Sequence, residues 1–310
     1  MKRVCALLLP GAVAALSWRS ACAHGGVAGH AAGPAWWAVD PWSLLLLAAA
    51  AWCYARGRHC IAQRGGRSGS GSGPGARLFW SGWGALALAL GPPLDPLGGW
   101  LFSAHMLQHE ILMLLSAPLL VLSRPFGYLL WGLPRAARHA FARLNRVPWL
   151  RAGGAWLVSP HGAWIVHAVM LWGWHLPFLF AASLTNDAVH AAQHTGFFVS
   201  ALLFWWALLM NRGRSAGAVI YLFTTALHSG ALGAMLTFAP TVWYAPYQTT
   251  TLRFGLSALE DQQLGGLIMW VPSGLVFLAA GLAMVARALR EAGMQTRRLE
   301  YGSDPEKADG

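Results

Sequence analysis

The sequence predicts an all-α protein, a polytopic bundle of about seven transmembrane helices that follows a cleaved signal peptide. Two compositional values support this class: 56% of the 310 residues are hydrophobic and only 11% are charged. That balance is too apolar for an ordinary soluble domain. The third observation is a series of uncharged runs, most of them long enough to cross the hydrocarbon layer of a bilayer.

The first element is a predicted signal peptide at residues 1–23. Lys2 and Arg3 precede an apolar stretch, and residues 21–23 (Ala-Cys-Ala) form a small-x-small cleavage site. Cleavage there would make His24 the mature N-terminus. The alternative is an uncleaved additional span, which the short apolar stretch disfavours.

The remaining chain divides into a short outer segment (24–36), a membrane domain (37–290) and a cytoplasmic tail (291–310). Apolar runs predict seven spans within the membrane domain, and the first two are the shortest. These spans are Trp37–Tyr54, Leu78–Leu90, Phe102–Leu122, Trp164–Ala182, His190–Met210, Ala218–Phe238 and Leu264–Ala286.

The distribution of basic residues predicts an N-out, C-in orientation. Every Lys and Arg that follows the signal peptide, except Arg253, falls in segments assigned to the inner side. The formal net charge of +11 is therefore explained by topology and by contact with anionic membrane lipids, and it does not call for nucleic acid as a partner. A signal peptide with this topology predicts a multi-pass protein of the bacterial inner membrane.

Five histidines are predicted to lie at a similar depth near the outer face. His105 and His109 form an i, i+4 pair at the start of the third span, and His190 and His194 repeat that spacing in the fifth. His175 lies near the outer end of the fourth span. Ionisable side chains inside spans are costly and usually face the bundle interior, so this set predicts a metal or haem site, or else a structural polar network.

Three further residues are candidate members of that site. Glu110 and Asp261 lie at comparable depth and could orient imidazoles or neutralise a cation. Met106 offers a soft thioether, which would favour monovalent copper over zinc.

Several enzyme classes are disfavoured by the motifs. His109-Glu110 begins like the HExxH sequence of zinc proteases, but Met113 stands where the second histidine is required. Neither a GxSxG nor a Walker sequence occurs. A retinal protein needs a lysine within the bundle, and the only lysines are Lys2 and Lys307.

Four motifs, spread between Leu78 and Arg290, resemble the multi-span CtaG family of cytochrome c oxidase assembly factors. They are His105-Met-Leu-Gln-His109, Trp174-His-Leu-Pro-Phe178, His190-Ala-Ala-Gln-His194 and the segment from Glu260 to Pro272.

The resemblance implies a non-enzymatic factor that matures a haem–copper oxidase, with oxidase subunits as partners and copper handled at the outer face. The residues that occupy the motif positions are His105, His109, His175, His190, His194 and Asp261. A haem-binding redox protein with axial histidines and a metal-free scaffold remain the alternatives.

Overall fold

The computed structural model describes residues 40–64, 73–210 and 215–302. Within these ranges the chain is almost wholly helical and forms no β-strand, which confirms the all-α prediction. The predicted signal peptide, the outer segment at 24–36, the start of the first predicted span and the end of the cytoplasmic tail lie outside the described residues.

The described helices are numbered in chain order. They are α1 (Pro41–Ala62), α2 (Pro74–Ala89), α3 (Leu94–Gly98), α4 (Phe102–Ser123), α5 (Phe126–Gly132), α6 (Arg135–Leu144), α7 (Pro148–Leu157), α8 (Pro160–Trp174), α9 (Pro177–Thr185), α10 (Asp187–Met210), α11 (Ser215–Thr237) and α12 (Ala258–Gly302). Within α4, residues Ile111–Ser116 form a π-helical segment. Two short 3₁₀ turns, Ala245–Gln248 and Thr251–Phe254, lie between α11 and α12.

Four of these helices are long and apolar enough to cross a membrane: α4, α10, α11 and α12. A fifth candidate is the pair α8 and α9, which are bent by 74° relative to each other. Of the seven predicted spans, the two short ones correspond to α1 and α2. The 16 residues of α2 fall short of the roughly 20 that a membrane crossing needs, and α1 carries Arg56 and Arg58 in its second half.

The break between α8 and α9 divides a segment that the apolar pattern predicts as one span. Pro177 has no backbone N–H and disfavours helical geometry in the residue before it. Leu176 accordingly adopts an extended conformation (ψ 128°). The break leaves His175 at the end of α8, where it caps the helix.

The start of α12 also differs from the prediction, because a capping box extends the helix to Ala258. The Ser257 N–H donates to Glu260 Oε2 at 2.8 Å, and the Glu260 N–H donates back to the Ser257 hydroxyl oxygen at 3.2 Å. This reciprocal pair satisfies two backbone donors that the helix itself cannot.

Helix α4 lies at the centre of the bundle and packs against α2, α10 and α12. Small residues allow a close helix contact between α11 and α12. A Cβ atom on Gly266 would lie 2.6 Å from the Thr237 nitrogen and 2.8 Å from the Gly233 oxygen, so only glycine fits at this crossing. Central placement of α4 brings its histidines to the interior of the fold.

Candidate metal centre

Two histidines of α4 form the first half of the site. His105 and His109 are one helical turn apart, so their side chains project from the same face. Their ring centroids lie 4.5 Å apart with nearly perpendicular planes, and the residues are only 1% and 2% exposed. Two imidazoles that share one small buried volume are suited to bind one ion.

Helix α10 supplies the second half. The His194 ring centroid lies 5.6 Å from that of His105 and 5.2 Å from that of His109. One ring nitrogen from each of these three residues, the histidine triad, lies within 4.8 Å of the other two. Because metal–nitrogen bonds are about 2.0–2.1 Å long, small side-chain rotations suffice to bring the three nitrogens to one ion.

A carboxylate adjoins the triad. Asp95, in α3, has an oxygen within 4.8 Å of ring nitrogens of His190 and His194. The Gln108 amide donates to Asp95 Oδ1 at 2.8 Å and to the Ala89 carbonyl oxygen at 2.7 Å. A carboxylate beside a metal-binding imidazole fixes its tautomer and orientation, so this group could support the triad or extend it.

His105 and His109 differ in their hydrogen bonding. His105 Nε2 lies 3.2 Å from Gln193 Oε1, and its Nδ1 lies 3.4 Å from the Gly98 carbonyl oxygen. In contrast, neither ring nitrogen of His109 has a hydrogen-bond partner among the described residues. A buried polar nitrogen without a partner is costly, and a bound ion would supply the missing interaction.

His175 stands at the edge of the triad, with its ring centroid 6.4 Å from that of His109. Its Nδ1 donates to the Leu171 carbonyl oxygen at 2.6 Å. Because that nitrogen carries the proton in the neutral ring, Nε2 carries the lone pair that a metal could bind. No described residue forms a hydrogen bond with this Nε2.

Two of the predicted ligands, Asp261 and Met106, lie apart from the triad. Asp261 caps α4: its Oδ2 accepts from the Phe102 N–H at 2.6 Å, and its Oδ1 accepts from the Ser103 N–H at 3.1 Å. Met106 is buried on another face of α4, where it packs toward Gly265 of α12. Both residues hold the helix in place.

Glu110, the third additional candidate, follows His109 but projects from a different face of α4. It is buried, with 7% exposure, and belongs to neither group of potential ligands around the triad. Its side chain lines an internal cavity together with Met113 and His167.

Three residues that touch the site were missed by the sequence analysis: Asp95, Gln108 and Gln193. Both histidine pairs share the pattern His-x-x-Gln-His, and a glutamine at the same place in two motifs is a signal that could have been used. Asp95 lies beside Pro96, just before a predicted span. The sequence around it gives no sign that this acidic residue is buried.

Two tyrosines from the segment between α11 and α12 cover the site. The Tyr247 hydroxyl donates to the Gly98 carbonyl oxygen at 2.7 Å, and the Tyr244 hydroxyl donates to the His175 carbonyl oxygen at 2.9 Å. Burial raises the pKa of Tyr247 well above its usual range, and the Asp261 carboxylate raises it further. The phenol therefore stays protonated and keeps donating at neutral pH.

Comparisons with known proteins point to one family. The model of the family described as cytochrome c oxidase caa3 assembly factor (Caa3_CtaG) matches residues 52–291, which confirms the resemblance carried by the four motifs. An uncharacterized protein of Mycobacterium bovis and one of Mycobacterium tuberculosis are each 26% identical to the chain over 273 residues. This match covers 83% of the chain but 40% of each curated relative. No solved structure matches the chain significantly.

Proposed function

The chain belongs to the Caa3_CtaG family of cytochrome c oxidase assembly factors, and we propose that it binds copper at the histidine triad and supports its delivery to the oxidase. The role is non-enzymatic, with copper as cargo and oxidase subunits as partners. The observation that carries the proposal is the convergence of three imidazole donors from α4 and α10 within 4.8 Å.

Copper fits the donor set because imidazole nitrogens bind it in both oxidation states. An ion held by three imidazoles keeps an open coordination position, to which His175 or an incoming ligand of the oxidase can bind. This arrangement favours transfer, since a site that is not closed by a fourth fixed protein ligand can exchange its ion.

The two alternatives fit the site less well. Haem needs axial imidazoles with room for a porphyrin beside them, whereas the triad rings lie with centroids 4.5 to 5.6 Å apart. A metal-free scaffold would use its histidines as hydrogen-bonding links between helices. His109, which has no hydrogen-bond partner among the described residues, provides no such link.

The proposed topology is a multi-pass protein of the bacterial inner membrane, with the mature N-terminus outside and the C-terminus inside. The triad lies near the N-terminal ends of α4 and α10. With the arginine-rich segments inside, those ends would face outward. Copper bound there could be transferred at the outer membrane face.

The test is metal analysis of full-length protein purified in detergent, with an absorption spectrum recorded in parallel. We expect bound copper in the wild type and about one ion per chain less in the double variant His105→Gln/His109→Gln. His161→Gln is the matched control, because His161 is exposed and lies at the far end of α8. A strong Soret band would support haem instead, and full copper loading of the double variant would refute the proposed site.

A further inference from the structure

A small cavity lies beside α4, one turn further along the helix than the triad. Its volume is about 20 Å³, enough for one water molecule or one ion. Apart from apolar side chains, its lining contains Glu110, Met113, His167, Ser229, Met269 and Ser273. None of these residues belongs to the triad, and α4, α8, α11 and α12 each contribute at least one of them.

Glu110 is the one acidic residue among the described residues that line this cavity. The side chain is 93% buried, and no described residue forms a hydrogen bond with its Oε2. The described residues that line the cavity include no Lys or Arg to compensate a carboxylate. Carboxylates within a membrane bundle are expensive unless they are paired with a cation or lie in a water-filled cavity. The cavity is therefore electrostatically suited to a cation.

The neighbouring side chains are ligands for a soft cation. The thioethers of Met113 and Met269 are 5% and 3% exposed, so they are shielded from water. His167 Nδ1 lies 3.4 Å from the Ser200 hydroxyl oxygen. The other ring nitrogen, Nε2, is the atom that can bind a metal. Thioether and imidazole ligands together favour monovalent copper over zinc, calcium or magnesium.

Two hydroxyl groups complete the lining without competing for the cation. The Ser229 hydroxyl donates to the Thr225 carbonyl oxygen at 2.8 Å, and the Ser273 hydroxyl donates to the Met269 carbonyl oxygen at 2.5 Å. Because their protons are directed to the backbone, the oxygen lone pairs remain for a cation or its water.

From this lining we propose a second copper site, specific for Cu(I), with Met113, Met269 and His167 as ligands and the Glu110 carboxylate as counter-charge. One carboxylate neutralises one monovalent ion. A divalent ion would leave a net positive charge in the hydrocarbon region, where uncompensated charge is costly.

The position of this site suits a relay that passes copper between the second site and the triad. This role rests on the proposed function. His109 and Met113 are four residues apart on α4, a rise of about 6 Å, although the helix becomes π-helical at Ile111. The Trp205 indole N–H donates to the Met113 carbonyl oxygen at 2.8 Å and so holds this wider turn in place. An ion that leaves one site along α4 therefore meets the ligands of the other.

The test uses full-length protein in detergent, loaded with Cu(I) anaerobically in the presence of ascorbate. Copper is counted by elemental analysis, and its ligand atoms are identified by X-ray absorption. We expect the double variant Met113→Leu/Met269→Leu to bind one ion fewer per chain and to lose the copper–sulfur scattering. Met170→Leu is the matched control, because Met170 lies on the same helix as His167 but packs toward Gly196.

An unchanged copper content and unchanged copper–sulfur scattering in Met113→Leu/Met269→Leu would overturn the second site. Loss of one ion there, together with an unchanged copper content in His105→Gln/His109→Gln, would keep the second site and refute the triad. Met-to-Leu changes conserve volume and are well tolerated in cores, and an unchanged gel-filtration profile and helix content confirm that the variants are folded.

Glu110→Gln provides an independent measurement. We expect the affinity of the second site, measured by competition with a chromophoric Cu(I) chelator, to fall about a hundredfold or more, since removing one partner of a buried charge pair is strongly unfavourable. Binding at the triad should be unchanged. Equal affinity of Glu110→Gln and wild type at both sites would contradict the role of this carboxylate.

Discussion

The two ends of the bundle differ in how their polar residues are placed. The histidine end, at the N-termini of α4 and α10, buries the histidine triad, and Asp261 and Tyr247 hold the surrounding backbone. The arginine end, formed by α5 to α7, leaves its charges at the surface, and α6 buries none of its residues. This contrast fits the proposal that the polar residues of the histidine end serve binding, whereas those of the arginine end serve topology.

The largest effect is expected from Asp261→Ala at the histidine end. The change leaves the buried N–H groups of Phe102 and Ser103 without an acceptor, and each orphaned donor costs about 1–3 kcal/mol. We predict a loss of about 3–5 kcal/mol in the free energy of unfolding, together with weaker copper binding because α4 shifts. Thermal unfolding in detergent and metal analysis measure both. Glu260→Gln, which alters an exposed cap, is the control, and equal stability of the two variants would refute the anchoring role.

The next prediction concerns the arginine end, where α1 crosses α5. A Cβ on Gly57 would overlap the Tyr128 carbonyl, so Gly57→Ala should cost about 1–3 kcal/mol through overpacking. Gly127→Ala, where a Cβ meets nothing within 4 Å, should instead stabilise α5 slightly. Copper binding should be normal in both variants. If Gly57→Ala lost copper, the two ends would not be independent.

A smaller effect at the histidine end is expected from Gln108→Leu. The change removes the hydrogen bond that orients Asp95, and loss of such an outer contact typically lowers metal affinity by about 10–100-fold. Copper affinity is measured by chelator competition, with Gln63→Leu as the control at an exposed glutamine. An affinity unchanged by Gln108→Leu would separate Asp95 from the metal site.

The smallest effect is expected from Arg138→Gln in α6. This side chain is partly exposed, and its guanidinium carbon lies 4.6 Å from the centroid of the Trp131 ring, so the change should alter stability by less than about 0.5–1 kcal/mol. Copper binding should match the wild type. Loss of copper in this variant would contradict the division of roles between the two ends.

Helix positions could be predicted well where apolar runs were long. The predicted start of the third span, Phe102, and the predicted end of the fifth, Met210, are the residues at which α4 begins and α10 ends. Breaks and caps were predicted less well, because they depend on single residues inside or beside the runs. Pro177 ends α8, and Ser257 extends α12, without changing the hydropathy.

The ligand set could be predicted only in part, because depth in the membrane does not determine the face of a helix. The i, i+4 spacing places His105 beside His109, but the approach of His194 depends on the packing of α4 against α10. Met106 and Asp261 were predicted at the same depth as the histidines, but Met106 packs toward α12 and Asp261 caps α4. Asp95 was missed because its burial depends on tertiary contacts with Gln108.

The central claim is that histidines from two helices bind one copper ion, and His194→Gln tests it most directly. His194 is the only member of the triad contributed by α10. We predict that this single change lowers bound copper, and the copper–imidazole scattering of the purified protein, as much as replacing His105 and His109 together. Full copper loading with unchanged scattering in His194→Gln would show that His194 is not a ligand, and would contradict the account.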